Sequence, residues 1–113
     1  MTLLSPNMTG TGYQAFTNIT TNQTSSVFGS SGIPSVVQAI VTGTGTVTAT
    51  LNVYGTILNS TSGGVLLGTI TLNNSGQDQG GLAITACWPN LYIVVSNLTG
   101  TGATLNVYTI GAP

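Results

Sequence analysis

Residues 46–57 run Thr46-Val47-Thr48-Ala49-Thr50-Leu51-Asn52-Val53-Tyr54-Gly55-Thr56-Ile57, with every odd position up to Val53 apolar and every even one Thr, Asn or Tyr up to Tyr54. A period of two sends successive side chains to opposite faces of an extended chain. The segment therefore predicts a strand with one face packed and the other not. Further runs cover residues 35–42, 65–72, 82–88, 91–97 and 103–110, separated by clusters of Gly, Ser, Asn and Pro at the spacing of antiparallel β proteins. No segment repeats its apolar residues at the helical period. Thr, Val, Ile and Tyr suit a pleated, half-buried surface, so the consistent fold class is all-β: an antiparallel β-sandwich or flattened barrel of six to eight strands over residues 35–113. Its candidate core residues are Leu51, Val53, Ile84, Trp88, Ile93, Leu105 and Val107.

Two stretches echo one another. Val41-Thr42-Gly43-Thr44-Gly45 leads, after three residues, into Ala49-Thr50-Leu51-Asn52-Val53-Tyr54. Leu98-Thr99-Gly100-Thr101-Gly102 leads directly into Ala103-Thr104-Leu105-Asn106-Val107-Tyr108. Each reads as an apolar strand, a Thr-Gly-Thr-Gly hairpin turn whose glycines permit positive φ, and a return strand, so the two should occupy comparable places in the sheets. Two copies are too few for a solenoid.

Residues 1–34 have no long alternating run and are dominated by Thr, Ser, Asn, Gln and Gly. They read as an extended N-terminal arm. The arm contains both Phe residues, and Leu3, Leu4, Tyr13, Phe16 and Phe28 are the candidate anchors by which it would hold a neighbouring subunit. The alternative for the aromatics is that they close the sandwich's own core.

Charge is nearly absent: no Lys, Arg or His and one acidic residue, Asp78, among 113 residues. Nucleic acid is excluded as a partner, because neutralising phosphates takes cations that this chain lacks. The same lack removes attraction to anionic lipid, and the longest apolar run, Leu91-Tyr92-Ile93-Val94-Val95, is far short of the roughly 20 residues of a spanning helix. No membrane partner is expected. Met1-Thr2-Leu3-Leu4-Ser5-Pro6 has neither the basic start nor the apolar stretch of a secretory signal, so the chain is expected to fold where it is made, which points to a cytoplasm or to a processed precursor. A catalytic role is not expected either: one carboxylate forms no acid–base pair, and no His or Lys is present to activate a Ser, Thr or Cys. Zinc lacks ligands, and a calcium site around Asp78 would carry little charge, so no metal and no cofactor are expected.

Asp78 stands in Asn73-Asn74-Ser75-Gly76-Gln77-Asp78-Gln79-Gly80-Gly81, which reads as a loop. Cys87, the single cysteine, reads as a buried small apolar residue beside Trp88 at a strand end. Six Asn-x-Ser/Thr triplets, at Asn7, Asn18, Asn22, Asn59, Asn73 and Asn97, would accept glycans were the chain exported, as a subunit of an extracellular filament would be.

A surface of hydroxyls and amides without charge offers little colloidal repulsion, so the chain is expected to live in an assembly whose contacts lose little to salt. Three stretches bear on which assembly. They are Gly32-Ile33-Pro34-Ser35-Val36-Val37-Gln38-Ala39-Ile40-Val41-Thr42-Gly43-Thr44-Gly45, then Leu66-Leu67-Gly68-Thr69-Ile70-Thr71-Leu72, and finally Trp88-Pro89 with Leu98-Thr99-Gly100-Thr101-Gly102-Ala103-Thr104-Leu105-Asn106-Val107. In this order, over about two-thirds of the chain, they resemble the small β-sandwich proteins that decorate or cement the heads of tailed bacteriophages. The resemblance implies a place on the capsid surface of a virion, contact with the major capsid protein, and a homo-oligomer, with a trimer favoured. It carries over no catalytic or ligand-binding residue. This chain differs in lacking the charged residues those proteins scatter over their loops. Two other readings use the same surface. Carbohydrate or receptor binding at a tail or fibre tip would employ Tyr54, Tyr92, Tyr108 or Trp88 as stacking platforms. Ice binding would employ Thr42, Thr44, Thr46, Thr48 and Thr50, although that row runs through a turn, and ordinary β-propensity accounts for it.

Overall fold

The computed structural model describes residues 11–29, 35–86 and 88–111. They form β1 (Thr11–Ile19), β2 (Phe28–Gly29), β3 (Ser35–Thr56), β4 (Val65–Ile84) and β5 (Asn90–Gly111) in one antiparallel sheet of order β1-β5-β3-β4, with β2 also on β5. The described residues contain no helix. The fold is all-β, as the alternation predicts.

The long strands are the unexpected feature. A straight strand of 22 residues would reach about 70 Å, yet the molecule measures 39 × 36 × 19 Å. The strands must therefore fold over. β4 shows it directly: a Cβ placed on Gly68 would lie 2.7 Å from Leu82 Cδ2, and one on Gly80 would lie 3.1 Å from Ile70 Cγ2 and Leu72 Cδ2. Gly68 and Leu82 would stand roughly 46 Å apart along a straight strand. The sheet thus doubles back across the middle of β3, β4 and β5 into two facing layers, and the 19 Å thickness suits two sheets packed about 10 Å apart. One layer holds β1, the second half of β5, the first half of β3 and the second half of β4. The other holds β2 and the remaining halves.

The turn-like sequences lie at this bend. Thr42-Gly43-Thr44-Gly45 and Thr99-Gly100-Thr101-Gly102 do not make hairpins. They are corners within β3 and β5, and they pair with each other, Thr44 opposite Thr101. Three register shifts between Thr42 and Thr50 mark the extra residues that let a strand turn. Gly100 has φ +129°, and a Cβ on it would lie 2.8 Å from Val47 Cγ1. A Cβ on Gly43 would meet the same methyl at 2.8 Å. The two glycines therefore close over Val47, which is fully buried. Hydroxyls bridge the corner, Thr42 to Thr104 at 3.2 Å and Thr48 to Thr99 at 2.6 Å, and the Thr48 hydroxyl also lies 2.6 Å from the Asn97 carbonyl oxygen.

Residues 73–81, read from sequence as a loop, continue β4 along β3, from Thr48 opposite Asn73 to Gln38 opposite Gly81. Their polarity reflects an edge strand at the bend, not a break in pairing. This is why five strands are present among the described residues, three of them crossing both layers, where the turn composition predicts six to eight shorter ones.

The core lies between the layers. On β3 the alternation holds through the bend: Val37, Ala39, Val41, Val47, Ala49, Leu51 and Val53 are all buried. Opposite them are Ile70, Leu72 and Ile84 of β4 and Leu91, Ile93, Val95, Ala103, Leu105 and Val107 of β5. The two Ala-Thr-Leu-Asn-Val-Tyr copies do occupy comparable places. Leu51 and Val53 pair with the first half of β5, and Leu105 and Val107 with the first half of β3, one copy in each layer.

Residues 11–29 correct the expectation of a free arm. β1 pairs with β5 from Thr11 opposite Gly111 to Ile19 opposite Leu105. The chain then crosses to the other layer, where Ser25 N–H donates to Ile93 O at 2.8 Å and Phe28 pairs with Leu91. The segment edges β5 as β4 edges β3.

Candidate interaction surface

The five anchor residues expected from sequence are dispersed. Leu3 and Leu4 lie outside the described residues. Tyr13 is paired with Thr109 through its backbone. Phe16 and Phe28 belong to the chain's own core, 5% and 7% exposed, so they are not free to insert into a neighbour. A register shift between Gln14 and Phe16 explains the latter: strict alternation would leave Phe16 on the outer face with Gln14, and the extra residue turns it to the core opposite Val107. Cys87 also lies outside the described residues.

Trp88 stands just beyond the end of β4, not within a strand. It is half-buried, packed on the core's rim above Gly55, where a Cβ would lie 2.5 Å from Trp88 Cδ2. It is a lid on the core and not a residue enclosed by it. Below it opens a cleft of about 300 Å³ lined by Gly55, Thr56, Ile57, Leu58, Gly63, Val65 and Trp88. Around the cleft the molecule is unusually apolar for an exposed end. Ile57 is 76% exposed, and Leu58, Val65 and Leu66 are each more than half exposed.

The local structure explains this exposure. Val65-Leu66-Leu67 places three apolar residues in succession on a strand, and a strand with one face on the core cannot bury three in a row. A bulge between Val53 and Tyr54 lets Leu67 pack on the core and sets Leu66 opposite Tyr54 on the outer face. Beside it Tyr54 and Tyr92 stack, centroids 5.0 Å apart and planes 10° from parallel. The 57–64 loop covers the Tyr92 side of this pair: Gly64 N–H donates to the Tyr92 hydroxyl at 3.1 Å, and Asn90 Nδ2 donates to the Leu58 carbonyl at 3.4 Å. Sequence reasoning did not single out Ile57, Leu58, Val65 and Leu66. The signal was present in the unbroken apolar triplet and in an apolar pair running into Asn59-Ser60-Thr61-Ser62-Gly63-Gly64.

Asp78 is used internally. Its Oδ2 accepts the Asn73 N–H at 2.8 Å and its Oδ1 the Gln79 N–H at 3.0 Å, tying β4 across its bend. Hydroxyls and amides bond across the strands on both outer faces. Thr69 donates to Asn52 Oδ1 at 2.8 Å on one layer, and Asn106 Nδ2 donates to Asn18 Oδ1 at 3.0 Å on the other. No bonded pair of acid and base, and no nucleophile with an activating neighbour, occurs among the described residues.

No protein-family model matches the sequence, and no curated protein matches it. Solved structures do resemble it. The SPBc2 prophage-derived protein YomS superimposes with a TM-score of 0.58 at 13% identity, over 88% of this chain and 90% of that one. The K1 cleaved adhesin domain of Lys-gingipain from Porphyromonas gingivalis W83 gives 0.51 at 10% identity, over 96% and 80%. The carbohydrate-binding module CBM36 in complex with calcium and xylotriose gives 0.49 at 15% identity, over 87% and 97%. The likeness is one of fold. The first two matches, over 88% and 96% of this chain, support the doubled antiparallel sandwich, and none of the three assigns a site to it.

Proposed function

We propose that the chain is a non-enzymatic structural subunit of a bacteriophage virion, a decoration or cement protein that attaches to the major capsid protein. The observation that carries this reading is a surface with almost no charge and one strongly apolar end, at Ile57, Leu58, Val65 and Leu66. Burying that end against a coat lattice is favourable in proportion to the apolar area removed from water, and the surrounding hydroxyls and amides can pair without desolvating an ion. Attachment of this kind holds across salt concentrations. The fold shared with a prophage-derived protein supports the same assignment, as does the resemblance to phage head proteins in the ordered stretches from Gly32 to Val107. A homo-oligomer, with a trimer favoured, fits a surface that offers no charge repulsion between copies.

The test is the copy number of the chain relative to the major coat protein in purified particles, by quantitative mass spectrometry. Hundreds of copies per particle are expected. A handful would move the protein to the tail or a fibre, and none would overturn the virion reading.

A further inference from the structure

The outer face of the layer that holds β1 carries a row that the attachment surface does not use. Tyr108 on β5 is the direct partner of Gln14 on β1 and of Gln38 on β3. Direct partners in a ladder share a face, with Cβ atoms about 4.5–5.5 Å apart. The phenol ring therefore stands between two amides. Both glutamines are exposed, and Tyr108 is 41% exposed. Beyond Gln38 the row ends at Gly81, which adds no side chain.

The amides are partly fixed in advance. In the neighbouring row, Asn106 Oδ1 accepts Gln14 Nε2 at 3.2 Å and the Asn18 N–H at 2.9 Å. Gln14 Nε2 also reaches the Phe16 carbonyl at 3.4 Å. This leaves Gln14 Oε1 and the whole amide of Gln38 without a hydrogen bond to the described residues.

The echo in sequence supplies an internal control. Tyr54 ends the same Ala-Thr-Leu-Asn-Val-Tyr stretch in the other layer, but its in-register partners are Leu66 and Tyr92, and it stacks on Tyr92. Each of the two tyrosines has a partner on either side, yet of the two only Tyr54 stacks on another ring. At the other, amides replace the apolar partners.

An exposed ring flanked by amides with open donors and acceptors, on a face without charge, has a definite complement. An anion would find no cation there. The single carboxylate, Asp78, is committed to its own strand, so a cation would find no counter-charge. A pyranose presents C–H groups that stack on an aromatic face and vicinal hydroxyls that both donate to and accept from amides. We propose that Tyr108, Gln38 and Gln14 form a binding site for a neutral saccharide, with the sugar ring on Tyr108 and its hydroxyls on the two glutamines.

The test titrates the isotope-labelled full chain with cellohexaose, maltohexaose, xylohexaose and laminarihexaose, following backbone amide shifts by NMR. At least one is expected to bind with a Kd of about 0.1–1 mM, shifting residues 14, 38, 81 and 106–108. Tyr108→Ala should weaken binding by at least about tenfold, whereas Tyr108→Phe, which keeps the ring, should stay within about threefold of the parent. Gln38→Ala removes an amide that the described fold does not use, so it should fold normally and weaken binding several-fold. Three results would overturn the site: no binding of any of the four up to the millimolar range, shifts centred on the Trp88 end, or affinity unchanged in Tyr108→Ala and Gln38→Ala. Shifts at these residues that depend on protein concentration alone, with a dimer in sedimentation, would assign the face to a second copy instead. The experiment needs no particle, so its outcome is separable from that of the stoichiometry measurement.

Discussion

At the residue scale, the same side-chain types do different work according to what stands opposite them. Leu51 is fully enclosed between the layers. Leu51→Ala should therefore cost about 2–5 kcal/mol by lost burial and cavity formation, measured by urea unfolding. Trp88 is half-buried, so Trp88→Ala should cost less than an enclosed tryptophan would. Asp78 shows how a residue can be misjudged from composition. Among Asn, Gln, Ser and Gly it reads as a loop residue, whereas its carboxylate joins two backbone N–H groups across a bend in a strand. Asp78→Ala should lower stability by about 1 kcal/mol, and an unchanged unfolding midpoint would show the two contacts to be dispensable. Both partners lie within five residues of Asp78; what the local sequence leaves open is that the chain stays paired with β3 through this bend, which depends on a distant segment.

At the element scale, alternation is legible and strand continuity is not. The period-two pattern of residues 46–53 predicts a face that is indeed buried, since each apolar side chain alternates with a polar one regardless of what the chain does further on. Whether Thr-Gly-Thr-Gly turns the chain back on itself or bends a continuing strand depends on the partner strand, and here each such segment is the other's partner. The space at Gly68 is a consequence of the fold-over. Gly68→Val should destabilise by roughly 1–3 kcal/mol through collision with Leu82, read from the same unfolding curves. The N-terminal segment gives a sharper test. Removing residues 1–28 deletes β1, half of β2 and both buried phenylalanines, so cooperative unfolding should be lost. Removing residues 1–10 leaves every described strand and should preserve it. Binding of the shorter deletion to particles then isolates the anchoring role expected of Leu3 and Leu4.

At the scale of the whole molecule, two properties follow from topology and charge. Partners such as Thr11 and Gly111 or Ser35 and Gly111 are distant in sequence, so loop closure must precede most pairing. Refolding in milliseconds to seconds is expected, followed by stopped-flow fluorescence of the single tryptophan. The second property concerns assembly. Contacts without ions are hardly screened, so the amount of protein retained on particles should stay constant from low salt to about 1 M, where the Debye length falls to roughly 3 Å. Release by salt would point to a charged contact supplied by Asp78 or by the chain's termini.

By itself the sequence determined that this protein is all-β, which positions of β3 and β5 face the core, and that its surface carries almost no charge. These follow from side-chain type and from a period that acts between neighbours in the chain. Only the tertiary structure decided that three strands run unbroken through both layers, that residues 11–29 complete the sheet, and that Tyr54 is covered while Tyr108 stands open between two glutamines. Each of these depends on which distant segment lies alongside, and strand pairing across a fold-over is set by packing between residues far apart in the chain.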